Sequence, residues 1–228
     1  MKLSFVIPAW NEEELIGATI ASIHQSAKGF DYEIVVADDA SDDRTSEIAH
    51  EFGAIVVPCN NRQIGVTRNN GASAATGNIL IFVDADTLVS KEVVEETVQA
   101  LNSGAVAGGS FPKFDEKVPL IAKLLAPCLK IAFSIVGVAA GAYLFCTKEA
   151  FEKAGKFNSK YYAAEEVHLS HQLRKQGKFK TINSQVVTSG RKFKQHSNTE
   201  MLITLILVSI PGIRNIKKRK KLWYGERE

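Results

Sequence analysis

The chain has 228 residues, of which 45% are hydrophobic and 23% are charged, a composition that allows one globular domain with a sizeable core and excludes an intrinsically disordered chain. Its net charge of +3 is unevenly distributed, because residues 214–228 hold seven basic and two acidic side chains and therefore carry +5, which leaves −2 for residues 1–213. The mildly acidic body shows no basic stripe, so nucleic acid is not expected among the partners.

Short apolar strands alternate with helices in the first hundred residues. Strands are predicted at 3–7, 34–37, 54–57 and 79–83. Between them, a first helix capped by Asn11 runs to Ser26, a second covers 44–52 after the Ser41–Asp43 cap, and a third covers 66–75. Alternation with short links predicts an α/β fold, a Rossmann-like doubly wound, mostly parallel sheet with helices on both faces.

The second half of the chain continues the alternation and ends in an extension. Helices are predicted at 91–101, 148–154 and 165–175, and strands at 106–111, 142–146, 179–182 and 186–187. Residues 1–190 are expected to form the domain, with 1–100 as one half and 101–190 as the other, and 191–228 to form a C-terminal extension with an apolar helix and a basic tail.

Asp84 and Asp86 directly follow the apolar run Ile79–Val83. The carboxyl ends of strands are where open α/β sheets bind ligands, and carboxylate oxygens are hard donors suited to Mg²⁺ or Mn²⁺. A divalent ion held there would in turn hold a diphosphate. Taken alone, the D-x-D pattern also fits a solvated turn after a strand.

Two further features belong to the same predicted edge. Asp38 and Asp39 end the second strand, where an Asp can accept the imide N–H of uracil or the N1–H of guanine, or simply shape a turn before a helix. Arg68, in the first turns of the third helix, could reach a diphosphate, stack on a base or remain solvated.

Four motifs follow one another in a fixed order: V-I-P-A-W-N-E-E from Val6, D-D-A-S-D-D-R-T from Asp38, G-V-T-R-N-N-G-A from Gly65 and F-V-D-A-D from Phe82. In this order and spacing they resemble the nucleotide-sugar half of the family-2 glycosyltransferases, which have the GT-A fold. The resemblance is dense over the first hundred residues. It continues more thinly through Gly141, Phe151, Gly155–Phe157 and Glu165–Leu169 to Gly177.

The resemblance implies a donor site for a nucleoside-diphosphate sugar, with UDP the commonest choice in similar proteins and GDP the next. Asp38 would contact the base and Arg68 the nucleotide. Asp84 and Asp86 would handle the ribose or sugar and a Mn²⁺ or Mg²⁺ ion, Asp86 most directly the metal. The nucleotide pocket after the first strand would be lined by Pro8, Ala9, Asn11 and Glu12.

Glu165–Glu166 matches the acidic pair of the family, whose second member serves as catalytic base in inverting enzymes. That member is usually Asp, and Glu166 reaches one methylene further, so Glu165 stays open for the role. Arg191 would assist the departing diphosphate. The Q-x-x-R-W signature of processive members is absent, so non-processive transfer is expected, with a catalytically inactive nucleotide-sugar-binding relative as the alternative.

Apolar stretches at 118–140 and 201–213, the basic cluster 214–221 and Trp223–Tyr224 suggest the surface of an anionic membrane. The uninterrupted apolar runs fall short of the roughly 20 residues that span a bilayer. The stretches could equally be core or the interface of a homodimer. We expect a cytoplasmic protein, peripheral on the cytoplasmic face of the membrane, with a hydroxyl acceptor that is lipid-linked.

Overall fold

A computed structural model describes residues 1–114, 139, 141–161 and 165–191. The helices are α1 (Ile16–Ser26), α2 (Thr45–Glu51), α3 (Ile64–Ala74), α4 (Lys91–Asn102), α5 (Lys148–Lys153) and α6 (Glu165–Arg174). The strands are β1 (Lys2–Ala9), β2 (Asp31–Asp38), β3 (Ile55–Pro58), β4 (Ile79–Val83), β5 (Thr87–Leu88), β6 (Ala105–Gly109), β7 (Lys113–Phe114), β8 (Tyr143–Thr147), β9 (Lys178–Thr181) and β10 (Val187–Thr188).

The main sheet has the strand order β3-β2-β1-β4-β8-β6-β9. Pairing is parallel from β3 through β2 and β1 to β4, and again between β6 and β9. Strand β8 is antiparallel to both of its neighbours, β4 and β6. The predicted mostly parallel, doubly wound α/β fold is therefore confirmed, with one reversed strand that the sequence pattern did not indicate.

A smaller sheet, which was not predicted, lies beside the main one. Strand β10 pairs antiparallel with β5 and parallel with β7. Each of these strands is two residues long, and only β10 overlaps a predicted strand, the one at 186–187, because β5 and β7 are too short to show the alternation that identifies a strand in a sequence. Strand β5 directly follows Asp86, and β10 ends three residues before Arg191. The small sheet therefore positions two residues of the site described below.

The main sheet buries both faces, which explains why its central strands are continuously apolar. Successive side chains of β1 alternate between the two faces. Phe5 and Ile7 pack with α1 and α4 in one cluster, and Val6 packs with Phe82, α5 and α6 in another. The polar residues of the site begin where these buried strands end.

The start of α1 differs from the prediction. The helix begins at Ile16, because the carbonyl of Glu12 accepts the first helical hydrogen bonds, from Leu15 and Ile16. Asn11 has a φ of 51° and donates from its side chain to Asp42 at 2.5 Å instead of capping a helix. The prediction that Asn11 caps α1 is therefore wrong, and the loop Trp10–Glu14 is left to line the edge of the sheet.

Glu33 joins the opposite edge of the sheet to the loop before β4. Its carboxylate accepts hydrogen bonds from Ser4 Oγ at 2.6 Å and from Thr76 N at 2.5 Å, and pairs with Lys2 Nζ at 2.9 Å. Burial alone would raise the pKa of Glu33, but the hydrogen bonds from Ser4, Thr76 and Lys2 outweigh it and lower the pKa to about 2. The ionised form therefore stabilises the fold.

We expect Glu33→Gln to lower the free energy of unfolding at pH 7 by about 2 kcal/mol, measured by urea denaturation. Because the folded-state pKa lies below the unfolded one, the wild-type advantage is complete above about pH 5 and shrinks as the pH falls toward 2. Glu51→Gln is the matched control, since Glu51 is 55% exposed and should cost almost nothing. A difference that stays constant with pH would contradict the assignment.

The expected membrane-associated segments lie outside the described residues, apart from Ala139. This applies to the apolar stretches 118–140 and 201–213, the basic cluster 214–221, Trp223–Tyr224 and, beyond Arg191, the whole C-terminal extension. Within the described part of the chain, no helix combines the length and the apolar character needed to cross a bilayer.

Candidate active site

Parallel pairing brings the carboxyl ends of β1, β2 and β4 to one edge of the main sheet. Ala9, the last residue of β1, lies opposite Asp38, the last residue of β2, and β4 runs beside β1 in the same direction. Glu12 and the pair Asp84 and Asp86 follow β1 and β4 directly. The carboxylates that were predicted to lie at one edge therefore lie together, at the position where open α/β sheets bind ligands.

The first group at this edge, the Arg68 cluster, consists of Arg68, Asp84, Glu165 and Glu166. Arg68 is 1% exposed, which rules out the solvated alternative. Its Nη1 donates to Oε1 of Glu165 and to Oε1 of Glu166, both at 2.9 Å, and its Nη2 donates to Oδ1 of Asp84 at 2.7 Å. Its Nε is the one buried side-chain polar atom without a hydrogen-bond partner among the described residues.

Close packing of α3 on the sheet positions Arg68. A Cβ on Gly71, one turn further along α3, would lie 2.6 Å from Cγ1 of Val6 and 3.3 Å from Cβ of Ala37. Only glycine allows α3 to approach β1 and β2 this closely. This close packing of α3 on the sheet places the Arg68 guanidinium at the carboxyl end of β4, where it contacts Asp84.

The two glutamates of the Arg68 cluster are electrostatically unequal. Burial and the neighbouring charge of Glu166 raise the pKa of Glu165. Burial also acts to raise the pKa of Glu166, but the charge of Arg68 outweighs it and lowers that pKa below its ordinary value. Burial and the charge of Glu166 therefore disfavour ionisation of Glu165, whereas Arg68 favours the ionised form of Glu166, the form that a general base requires.

Gly141 lets the Glu166 carboxylate lie against the backbone. A Cβ at this position would stand 2.5 Å from Oε1 of Glu166 and 3.1 Å from its carboxyl carbon. The carbonyl of Gly141 also lies 3.4 Å from Nη2 of Arg68. Gly141 thus fixes where the carboxylate of Glu166 can sit.

The family resemblance implies that Glu166 is the base of sugar transfer, and on that expectation Gly141→Ala should lower transfer at least 10-fold, because it displaces the Glu166 carboxylate, while nucleotide affinity stays unchanged. Transfer kinetics and nucleotide titration measure the two quantities separately. Gly65→Ala is the control, because its Cβ would stand at ordinary van der Waals distances, 3.4 Å from Cβ of Phe157 and 3.5 Å from Cγ of Glu165. Equal losses in both variants would remove the special role of Gly141.

The second group, the Arg191 cluster, consists of Glu12, Asp86 and Arg191. Nη2 of Arg191 donates to both carboxylate oxygens of Glu12 and lies 3.5 Å from Oδ2 of Asp86. Oδ1 of Asp86 accepts from Thr188 Oγ1 at 3.2 Å. The side chains of Glu12 and Asp86 are only 6% and 8% exposed. The D-x-D motif therefore joins two clusters, because Asp84 belongs to one and Asp86 to the other.

A third group lies at the end of β2. Asp38 accepts hydrogen bonds from Ser41 Oγ and from Ser46 Oγ, the latter at 2.5 Å. Asp39 accepts from Asn61 N at 2.6 Å and from Thr67 Oγ1 at 3.0 Å. Both carboxylates are nearly buried, at 6% exposure each. They tie the loops after β2 and β3 to the sheet edge.

Trp10 and Arg62 flank this third group. The Arg62 guanidinium carbon lies 4.0 Å from the centroid of the Trp10 ring, a cation–π contact between the loops after β1 and β3. Neither residue was assigned a role from sequence. Trp10 lies inside the first motif, but Arg62 precedes the third motif and carries no local signal.

The predicted nucleotide-pocket residues occupy two kinds of position. Pro8 and Ala9 are buried within β1, and Asn11 and Glu12 lie in the loop that follows it. Sequence reasoning missed Thr188, which reaches Asp86 from β10, and Thr67, which reaches Asp39 from α3. A threonine gives no sequence signal for such a contact, because the partner is chosen by the fold.

The residues present fit a divalent cation whose coordination shell would be completed by the phosphates of a substrate. No group of three His, Cys, Asp or Glu side chains arranged for a metal occurs in the described ranges. Mg²⁺ is commonly held by one or two carboxylates together with substrate phosphates, and Mn²⁺ accepts the same oxygen ligands. Oδ2 of Asp86 already faces a cationic group, so this carboxylate is suited to a positive partner.

Solved glycosyltransferases of the GT-A class share this fold. A mannosyltransferase from Pyrobaculum calidifontis in complex with GDP-Man and Mn²⁺ gives a TM-score of 0.73 over 98% of this chain and 68% of its own, at 21% identity. Glucosyl-3-phosphoglycerate synthase from Mycobacterium tuberculosis, in complex with Mn²⁺, UDP and glucosyl-3-phosphoglycerate, gives 0.62 over 91% and 78%, also at 21% identity. The predicted GT-A fold is confirmed.

The family model for glycosyl transferase family 2 matches residues 4–180, and the chain belongs to that family. The dolichol-phosphate mannosyltransferase of Pyrococcus furiosus is 34% identical over 116 residues, which are 48% of this chain and 33% of that relative. The match therefore spans about a third of the relative's length. The resemblance stated from the four sequence motifs is confirmed at the level of the family.

Proposed function

We propose that the protein transfers a sugar from a nucleoside-diphosphate sugar to an acceptor hydroxyl, non-processively, with Mn²⁺ or Mg²⁺ as cofactor and with inversion at the anomeric carbon. The observation that carries the proposal is the position of the D-x-D motif between the two clusters. Asp86 faces Arg191 beside Glu12, and Asp84 is bonded to Arg68 beside Glu166. Asp86 thus belongs to a group suited to a diphosphate. Asp84, two residues earlier, belongs to the group that holds the proposed carboxylate base.

At the donor end, the proposed roles follow from charge and burial. Asp86 would hold the cation, which would neutralise charge on the departing diphosphate. Asp38 would accept the N–H of the base, and the loop Asn11–Glu12 would border the ribose. Structural neighbours solved with UDP and with GDP-Man support a nucleoside diphosphate, and we favour UDP over GDP.

At the acceptor end, Glu166 would take the proton of the attacking hydroxyl. Its ionised state, favoured by Arg68, suits that role, whereas burial and the charge of Glu166 disfavour the ionised form of Glu165. The new bond forms from the acceptor oxygen to the anomeric carbon as the bond to the diphosphate oxygen breaks on the opposite face. Arg68 would act by holding the carboxylates, since its Nη atoms are committed to three of them.

We propose a lipid-linked acceptor at an anionic membrane surface on the cytoplasmic face. The name of the Pyrococcus furiosus relative, a dolichol-phosphate mannosyltransferase, supports a lipid acceptor. The apolar stretch 201–213 and the basic cluster 214–221 supply a sequence suited to such a surface. Cosedimentation with anionic vesicles at low salt tests the membrane contact, and a protein that stays in solution would contradict it.

The donor site is tested by a thermal-shift panel of UDP, GDP, CDP and dTDP, each with and without Mn²⁺. We expect one nucleotide to raise Tm by about 5–10 °C at 100 times its Kd, and only with Mn²⁺. Asp86→Asn should remove that dependence. Asp31→Asn, an exposed position at the far end of β2, should keep it. Equal shifts with and without Mn²⁺ in the wild type would contradict the role of the metal.

A binding protein without catalytic activity is the second candidate. It is favoured by one observation, namely that Glu166 stands where the family usually has Asp and is held by Arg68 at 2.9 Å. Such a protein would give the same nucleotide-dependent thermal shift. It would neither transfer the sugar nor slowly hydrolyse the donor, so no free nucleotide would be released.

A further inference from the structure

We propose that Arg191, held by Glu12, occupies the cation position of the donor site, so that its guanidinium and the divalent metal exclude each other at Asp86. The inference rests on the proposed function, because it concerns the same metal. It goes further in assigning Arg191 two successive positions. Arg191 neutralises the carboxylates before the donor binds, and it contacts the diphosphate after the metal has taken its place.

The argument begins with the two oxygens of Asp86. Oδ1 is engaged by the hydroxyl of Thr188, and Oδ2 lies 3.5 Å from Nη2 of Arg191. Oδ2 is thus the oxygen of Asp86 that already faces a cation. A metal ion bound to Oδ2 would compete with the guanidinium for this oxygen.

The charges of Glu12 and Asp86 explain why one cation is needed beside them and why the guanidinium and a divalent ion do not fit there together. Glu12 and Asp86 are nearly buried, and an uncompensated pair of carboxylates there would be costly. One guanidinium on both carboxylates offsets part of that cost. A divalent ion added beside it would meet a like charge within a few ångströms in a partly dry site, where Coulomb repulsion is strong.

The backbone around Arg191 allows the side chain to move while the chain stays in place. Thr188 is paired with Thr87 in the small sheet, and Ser189 N donates to the carbonyl of Asp86 at 3.1 Å. Arg191 N in turn bonds to Ser189 Oγ at 3.3 Å. The side chain of Arg191 is 26% exposed, so rotation can take its guanidinium off the carboxylates without unpacking the fold.

The exchange leaves Arg191 within reach of whatever the metal binds. A diphosphate held on the cation brings new negative charge to this place, and guanidinium groups bind phosphate oxygens in a bidentate manner. Arg191 should therefore weaken binding of the metal alone and strengthen binding of the nucleotide once the metal is present. These opposite effects of one side chain distinguish exchange from a purely structural role.

The test measures Mn²⁺ binding to the full chain from the electron paramagnetic resonance signal of free Mn²⁺, and UDP binding by calorimetry at saturating Mn²⁺. For Arg191→Gln we expect about 10-fold tighter Mn²⁺ binding without nucleotide and about 10-fold weaker UDP binding with Mn²⁺, from the loss of one nearby positive charge. Arg174→Gln is the matched control. Arg174 is exposed, roughly 13 Å along α6 from Glu165 at 1.5 Å per residue, and both affinities should stay as in the wild type.

Arg191→Lys retains the charge on a single nitrogen. Its Mn²⁺ and UDP affinities should lie between those of the wild type and the Gln variant, and it serves as the test variant if Arg191→Gln does not fold. An unchanged or weaker Mn²⁺ affinity in Arg191→Gln, with UDP binding still dependent on Mn²⁺, would overturn the exchange and leave the proposed function standing. Absence of Mn²⁺ binding from every variant, with or without UDP, would overturn both.

Discussion

Replacing Glu166 with Gln should lower the rate of sugar transfer by about 10²–10⁴-fold, the usual contribution of a general base. The amide keeps the size of the side chain and can still contact Arg68, but it cannot take a proton from the acceptor. Nucleotide affinity should remain within a factor of two or so of the wild type, since Asp86 and Arg191 are untouched. Steady-state transfer with donor titration in parallel measures both effects.

Glu165→Gln is the matched control for this prediction, because burial and the charge of Glu166 disfavour ionisation of Glu165 and an amide imitates the neutral form. We expect a loss of less than about 10-fold, well below that of Glu166→Gln. The reverse order of the two losses would assign the base to Glu165, the alternative that the sequence left open. Near-normal transfer by both variants would exclude the acidic pair as the base.

The donor half of the site could be predicted because its information is local. The run 79–83 is continuously apolar, and β4 has the predicted bounds. Parallel strands bring their carboxyl ends to one edge, so Asp38, Asp84 and Asp86 could be assigned to that edge before any contact was known. Alternation of strands and helices was enough for this step, because a doubly wound sheet has few possible arrangements.

The contacts that complete the site could not be predicted, because they join residues that are distant in the chain. Arg68 meets Glu165 across 97 positions, and Arg191 meets Glu12 across 179. The direction of β8 was also hidden, since an apolar run of five residues reads alike in a parallel and an antiparallel strand. The reversal matters, because the loop that enters β8 carries Gly141 to Glu166.

The family resemblance gives Arg68 a role at the nucleotide, and the structure adds a reason why the fold depends on this side chain. Asp84, Glu165 and Glu166 surround a guanidinium that is 1% exposed. Removing one member of a buried ion group leaves the others uncompensated, which typically costs about 3–5 kcal/mol. Here three carboxylates depend on one cation, so Arg68 should be among the least replaceable residues of the chain.

We therefore expect Arg68→Met to lower the free energy of unfolding by about 3–5 kcal/mol at pH 7.5, measured by urea denaturation. Without the guanidinium, the pKa values of the buried Glu165 and Glu166 should rise above their unfolded values, so stability is lost as the pH rises through them. The deficit against the wild type should accordingly shrink between pH 7.5 and 5. Arg174→Met, at an exposed position of α6, should cost less than about 0.5 kcal/mol. A deficit for Arg68→Met that is small or independent of pH would show that the carboxylates do not rely on this charge.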